Sequence, residues 1–156
     1  MATVRVQEAP FDVAAEMAAL TAGNPGIGGI GGIGCFVGIV RPDRRSDGRS
    51  LLALTLEHYP GMTERSIGAI ASEAEQRFEL AGCTVLHRVG RLAIGEGIVL
   101  VLAAAPHRGN ALDATAFLID WLKTRAPFWK RQDYDDGGSD WVEARAADDE
   151  AADRWS

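Results

Sequence analysis

Pro127 constrains this chain more than any other residue. It sits inside Lys123-Thr-Arg-Ala-Pro-Phe-Trp-Lys130-Arg131, at the end of an apolar, helix-like run. Ala126, the residue before the proline, is pushed out of helical geometry, so the helix must stop there. On a continuous helix Lys123 and Lys130 would lie on one face, two turns apart. The proline forbids that helix. The chain has to turn between the two lysines, and a turn can bring both amines to one pocket. Arg125 and Arg131 add positive charge, while Phe128 and Trp129 prefer burial.

Two readings of this stretch stand side by side on physics alone. In one, a cluster of cations beside aromatic rings seats a phosphate or carboxylate. A lysine in such company finds its charged form disfavoured and can serve as a base or nucleophile. In the other, the helix end favours basic residues through its dipole, and a packed aromatic turn follows.

Composition narrows the classes. With 156 residues, 47% hydrophobic and 24% charged, the chain suits one globular domain with its own core. The reading is a single domain over residues 1–156, with a glycine-rich loop at 23–34 and a mobile loop at 42–49. A formal net charge of −6 argues against general nucleic-acid binding, which needs a cationic face. No apolar run reaches the length of a membrane span, and the polar, alternating N-terminus is unlike a signal peptide. The expected location is the cytoplasm. Cys35 and Cys83 lack metal or redox spacing and read as buried thiols.

Periodicity predicts an α+β chain. Thr3–Gln7, Ile33–Arg41, Leu51–Tyr59, Cys83–Val89 and Ile98–Ala105 read as strands, and Trp141–Arg145 as a last short one. Asp12 caps a helix over Val13–Thr21. Thr63 is expected to cap a second helix, and Asn110 a third whose inner face carries Leu112, Ala116, Ile119 and Leu122 or Lys123. Gly26–Gly31 matches the dinucleotide pattern G-x-G-x-x-G. Here a helix precedes it and a strand follows, the reverse of what that site needs, so a flexible connector is the better reading. His58, His87 and His107 have no zinc-type spacing. His58 and His87 lie within strands. His107 and Arg108 head a loop at a strand end, where imidazole and guanidinium can meet an anion. Arg41 ends another strand and gains meaning only if the fold brings it to His107 and Lys123.

Six blocks then occur in order: Phe36-Val-Gly38-Ile-Val-Arg41, Leu56-Glu-His-Tyr-Pro-Gly-Met62, His87-Arg-Val-Gly90 with Gly95-Glu96, His107-Arg108, Leu122-Lys123-Thr-Arg-Ala-Pro-Phe-Trp-Lys130 and Trp141-Val-Glu-Ala-Arg145. In this order the chain resembles the large, catalytic subunit of molybdopterin synthase, from about Val4 to Trp155. The resemblance implies an α/β hammerhead-type fold with mixed and antiparallel sheet and an additional small antiparallel subdomain. It implies a sulfurtransferase of molybdenum cofactor biosynthesis that converts cyclic pyranopterin monophosphate (precursor Z) to molybdopterin. The sulfur comes from a thiocarboxylate on the C-terminal Gly-Gly of a small ubiquitin-like partner, within a heterotetramer built on a homodimer. Lys123 and Lys130 match the catalytic lysines. Ile39, Val40, Arg41, His107, Arg108, Arg131 and Gln132 match substrate-binding segments, together with the two lysines. No metal or redox cofactor is implied. Gln132 departs from the glutamate common in the family, and Leu112 from a frequent phenylalanine. A second reading of the same pocket is a non-catalytic adaptor for a ubiquitin-like tail.

Overall fold

The computed structural model describes residues 2–23, 29–142 and 146–155. Its elements run β1 (Thr3–Gln7), α1 (Val13–Ala22), β2 (Gly32–Ile39), β3 (Leu51–His58), α2 (Met62–Arg77), β4 (Gly82–Arg88), β5 (Gly90–Ala93), β6 (Gly97–Ala105), α3 (Arg108–Arg125), β7 (Phe128–Tyr134), β8 (Ser139–Val142) and α4 (Ala146–Asp153). The strands form two four-stranded sheets, ordered β1-β4-β6-β2 and β5-β3-β7-β8. The first is mixed, because β1 runs parallel to β4 while β4, β6 and β2 alternate in direction. The second is wholly antiparallel. This is the α+β arrangement the sequence led to, with the extra antiparallel sheet.

The first sheet is covered on both faces, so β6 is a nearly unbroken apolar run, Ile-Val-Leu-Val-Leu-Ala-Ala-Ala. Side chains alternate faces along a strand. Val99, Val101 and Ala103 meet Ile67, Ile70 and Ala74 of α2 and Phe117 and Leu118 of α3. Leu100, Leu102 and Ala104 meet Leu20, Met17 and Val37 on the other side. Burial of each large side chain contributes about 1.5–3 kcal/mol. A third cluster, with Val40, Leu54, Leu56, Val89, Leu92, Ile98 and Tyr134, joins the two sheets. It fixes the second sheet against the end of the first where β2 exits and β6 enters.

Two glycines of the expected flexible connector have packing roles. A Cβ on Gly34 would lie 2.1 Å from Thr115 Oγ1 and 2.6 Å from the Ala111 carbonyl oxygen. One on Gly31 would lie 1.9 Å from the Pro106 carbonyl oxygen. Their bareness lets α3 and its lead-in lie on β2. Residues 24–28, including part of the G-x-G-x-x-G match, fall outside the described residues.

Several local expectations are corrected. Gly61, at φ 85°, precedes α2, and Glu64 accepts from its amide at 3.2 Å. Thr63 is therefore no cap; it sits inside the helix, fully buried, with its hydroxyl bonded elsewhere. The third helix starts at Arg108, two residues before Asn110. Extended His107 (φ −124°, ψ 141°) is its N-cap, and the His107 carbonyl accepts from the Ala111 amide at 3.2 Å. The inner face shifts accordingly to Ala111, Ala114, Thr115, Phe117, Leu118 and Leu122, leaving Leu112 61% exposed. Cys35 is exposed because β2 is an edge strand, whereas Cys83 is buried. Arg41 lies two residues beyond the end of β2. Phe128–Tyr134, expected as a turn and its sequel, is a strand held between β3 and β8. Gly90–Ala93, expected within a turn region, pairs with β3. The last strand is Ser139–Val142; positions 143–145 of the expected Trp141–Arg145 strand lie outside the described residues. Among the described residues no helix is long and apolar enough to cross a membrane.

Candidate active site

The site forms where α3 hands over to β7. Lys123 is exposed in the last turn of α3, and Ala126 closes the helix in extended geometry (φ −80°, ψ 128°), as the following proline demands. The Phe128 amide donates back to the Ala126 carbonyl at 3.0 Å. β7 then runs antiparallel to β3, with Phe128 opposite His58 and Lys130 opposite Leu56.

Residues two apart on a strand share a face. Phe128, Lys130, Gln132 and Tyr134 therefore lie on one side of β7, and Trp129, Arg131 and Asp133 on the other. Phe128 stacks on the His87 ring, with centroids 3.8 Å apart and planes at 21°. His87 is 8% exposed, near the end of β4. Its Nδ1 lies 2.9 Å from the Arg88 carbonyl oxygen. A carbonyl only accepts, so Nδ1 carries the hydrogen and Nε2 is left with the lone pair.

The charges of both lysines are felt at this ring. Burial pushes the His87 pKa down to about 4, and the positive charges of Lys123, Lys130 and His58 push it the same way. The hydrogen bond to Arg88 opposes them. Two lysines separated by the Pro127 corner thus act on one imidazole.

Arg41 is at the same end of the first sheet. It follows Val40, which is fully buried and exchanges backbone bonds with the 95–96 turn: its amide donates to the Glu96 carbonyl at 2.9 Å, and its carbonyl accepts from Gly95 at 2.8 Å. Ile39 is 55% exposed beside it. Buried Val40 anchors this segment, while Ile39 and Arg41 present surface.

His107 and Arg108 are not brought to this end within the chain. They open α3, and at a rise of 1.5 Å per residue Lys123 stands about 22 Å further along the axis. The β2–β6 ladder says the same. Gly32 pairs with Ala105 at one end and Ile39 with Gly97 at the other, about 24 Å apart at 3.4 Å per residue. Both His107 and Arg108 are exposed.

Arg131 and Gln132 part company with Lys130 in different ways. Arg131 lies on the opposite face, where its Nε donates to Asp133 at 2.9 Å and its guanidinium sits 5.9 Å from the Trp141 ring centre. Gln132 shares the Lys130 face, and its Oε1 accepts from the Tyr134 hydroxyl at 2.7 Å. That hydroxyl accepts in turn from Arg45 at 2.9 Å. A neutral amide suffices for this link.

Two residues of the site escape a reading of site-type residues alone. His87 reads as one more strand histidine until its charged neighbours are seen. Thr63 reads as a cap until its hydroxyl is found on the Pro127 carbonyl. Both lie within or beside blocks that carry the family resemblance, which is the only signal the sequence offers for them.

The fold first defines a class: an α+β protein with a mixed sheet covered on both faces and a second antiparallel sheet. Residues 6–125 match the family described as MoaE protein. The chain is 52% identical over 152 residues to the molybdopterin synthase catalytic subunit of Pseudomonas aeruginosa, covering 97% of each. It is 51% identical over 154 residues to that of Mesorhizobium japonicum, covering 98% of this chain and 92% of the relative. Among solved structures, the molybdopterin biosynthesis MoaE protein from Burkholderia ambifaria matches with a TM-score of 0.81 at 48% identity, covering 99% of this chain and 98% of that one. The chain belongs to the MoaE protein family.

Proposed function

We propose that this chain is the catalytic subunit of a molybdopterin synthase and works in the cytoplasm. It moves sulfur from the C-terminal thiocarboxylate of a small ubiquitin-like partner to cyclic pyranopterin monophosphate, installing the dithiolene of molybdopterin. The observation that carries this reading is the shared action of Lys123 and Lys130 on buried His87, in a chain whose relatives at about half identity are catalytic subunits of that enzyme.

The chemistry needs few parts. The thiocarboxylate sulfur attacks a side-chain carbon of the pterin and forms the new C–S bond as a carbon–oxygen bond at that carbon breaks, the oxygen leaving as water or as the freed end of the phosphate ester. Water then attacks the acyl carbon, the acyl–sulfur bond breaks, and the carrier leaves as a carboxylate. Negative charge gathers on the acyl oxygen during that attack, and ammonium groups aimed at it stabilise it. A lysine at the same point moves the protons that hydrolysis requires. Arg41, at the same end, supplies a guanidinium for the substrate phosphate.

His107 and Arg108 serve this site from a second copy. Their distance from Lys123 within one chain and their exposure at the α3 N-terminus support that reading. In a two-fold dimer a surface used by one copy is used by the other, so each copy would lend these two residues to its neighbour's lysines.

The test combines the purified chain with the thiocarboxylated partner and the pterin precursor, and follows dithiolene formation. Product formation is the expected result. Tight partner binding with no turnover would replace this reading with that of an adaptor for the tail.

A further inference from the structure

Arg41 stands two residues past the last ladder pair of β2. The strand pairs regularly with β6 from Gly32 to Gly38, and the register then shifts so that Ile39 faces Gly97. A bulge of this kind re-aims the chain beyond it. Past the bulge the 95–96 turn grips Val40, whose amide donates to the Glu96 carbonyl and whose carbonyl accepts from the Gly95 amide. The place of Arg41 is thus set by that turn.

The turn is fastened by Arg88. Successive residues of a strand point to opposite faces. At the end of β4, His87 turns its ring to Phe128 and Arg88 turns the other way. Arg88 is buried, at 6% exposure. Its Nε and Nη2 donate to the Glu8 carbonyl at 3.1 and 2.8 Å. Its Nη1 donates to the Gly97 carbonyl at 3.2 Å and reaches Glu96 Oε1 at 3.4 Å. The other Glu96 oxygen accepts from the Ala93 amide at 2.5 Å. Ile39 lines the same cleft as Arg88. One planar fork therefore ties the N-terminal segment, the start of β6 and the Glu96 turn together, which the single point charge of a lysine cannot do. Stability alone does not call for a charge here, since well-packed apolar side chains of similar volume serve a buried place as well or better. What the fork supplies is a fixed position for the turn.

We infer that Arg88 is a positioning residue of this site: through Glu96 and the turn that grips Val40, it sets where the Arg41 guanidinium meets the substrate phosphate. The inference rests on the reading of Arg41 as the group that binds that phosphate. Released from the turn, Arg41 keeps its charge and loses its place. Phosphate binding then weakens, while the lysines and the sulfur chemistry are untouched.

The experiment uses the full chain with its partner and the variants Arg41→Ala, Glu96→Ala, Glu96→Gln and Arg88→Met. Binding is read first, with the partner in its carboxylate form so that no turnover occurs, as affinity for cyclic pyranopterin monophosphate by equilibrium dialysis. Arg41→Ala and Glu96→Ala should each bind about tenfold more weakly. Glu96→Gln keeps an acceptor oxygen and should recover most of that loss. The double variant of Arg41→Ala and Glu96→Ala should bind scarcely more weakly than Arg41→Ala alone, because the turn acts through Arg41. Turnover is read second, with the thiocarboxylated partner. In Glu96→Ala and Arg88→Met the KM for the pterin should rise about tenfold with kcat nearly unchanged.

Wild-type affinity and KM in folded Glu96→Ala overturn the inference. So does a fully additive loss in the double variant, which would reduce the turn to general support of the fold. Wild-type affinity in Arg41→Ala removes the phosphate reading of Arg41 and the inference with it. If Arg88→Met does not fold, the Glu96 variants decide alone. Weakened binding in Arg41→Ala and Glu96→Ala alike, in a chain that transfers no sulfur, would leave this inference standing and remove the proposed function instead.

Discussion

The buried hydroxyl of Thr63 donates to the Pro127 carbonyl at 3.0 Å and accepts from the Tyr59 amide at 3.0 Å. One side chain in α2 thereby fastens the corner between the two lysines to the end of β3. Thr63→Val keeps the shape and leaves a buried donor and acceptor unpaired, at a cost of about 1–3 kcal/mol. Urea denaturation should show that loss. Sulfur transfer should fall further than stability alone explains, since the corner sets the spacing of Lys123 and Lys130. Thr63→Ser should keep most of both.

The depressed pKa of His87 makes stability depend on pH in a defined window. The folded pKa of about 4 lies below the ordinary histidine value of about 6.5. Between these values the unfolded chain binds a proton that the folded chain refuses, so stability rises with pH across the window. The contribution is fully present above pH ~6.5 and is lost progressively as pH falls towards 4, on the order of 3 kcal/mol in all. Thermal melts of the wild type and His87→Phe between pH 4 and 7 check this. The variant should show the flatter profile.

The separation of His107 and Arg108 from Lys123 along α3 gives a complementation test. His107→Ala and Lys123→Ala should each be nearly inactive alone. Mixed and allowed to exchange subunits, they should regain about a quarter of wild-type activity, because half of the dimers then contain one intact site of two. Activity that stays at the level of the separate variants would mean that the residues serve one site within a chain, or none.

How far the sequence reached is plain from particular residues. The strands of the first sheet were legible because β6 is apolar throughout, β4 carries the strand-forming run Cys83-Thr-Val-Leu86 and β1 alternates. Asp12 was legible as a cap, since a carboxylate ahead of an apolar run has few other local uses; its Oδ1 accepts from the Ala15 amide at 3.1 Å. The end of α3 was legible because proline leaves the residue before it little choice. By contrast, β7 was hidden. Its polar residues Lys130, Arg131, Gln132 and Asp133 carry no strand pattern, and only pairing with β3 and β8 makes it one. Asn110 looked like a better cap than His107, yet the backbone enters the helix directly after His107. The lysine pair could be suspected from the Pro127 turn. That both charges act on His87 depends on β4, more than thirty residues earlier in the chain, and no local rule connects the two.

The central claim is that Lys123 and Lys130 perform the transfer together. Single-turnover sulfur transfer with saturating thiocarboxylated partner tests it most directly, in Lys123→Ala, Lys130→Ala and the double variant. The expected result is a fall of about 10²-fold or more for each single variant, with partner affinity unchanged. The double variant should be scarcely slower than the singles, as befits groups that act as a unit. Wild-type transfer rates in both single variants would contradict the account.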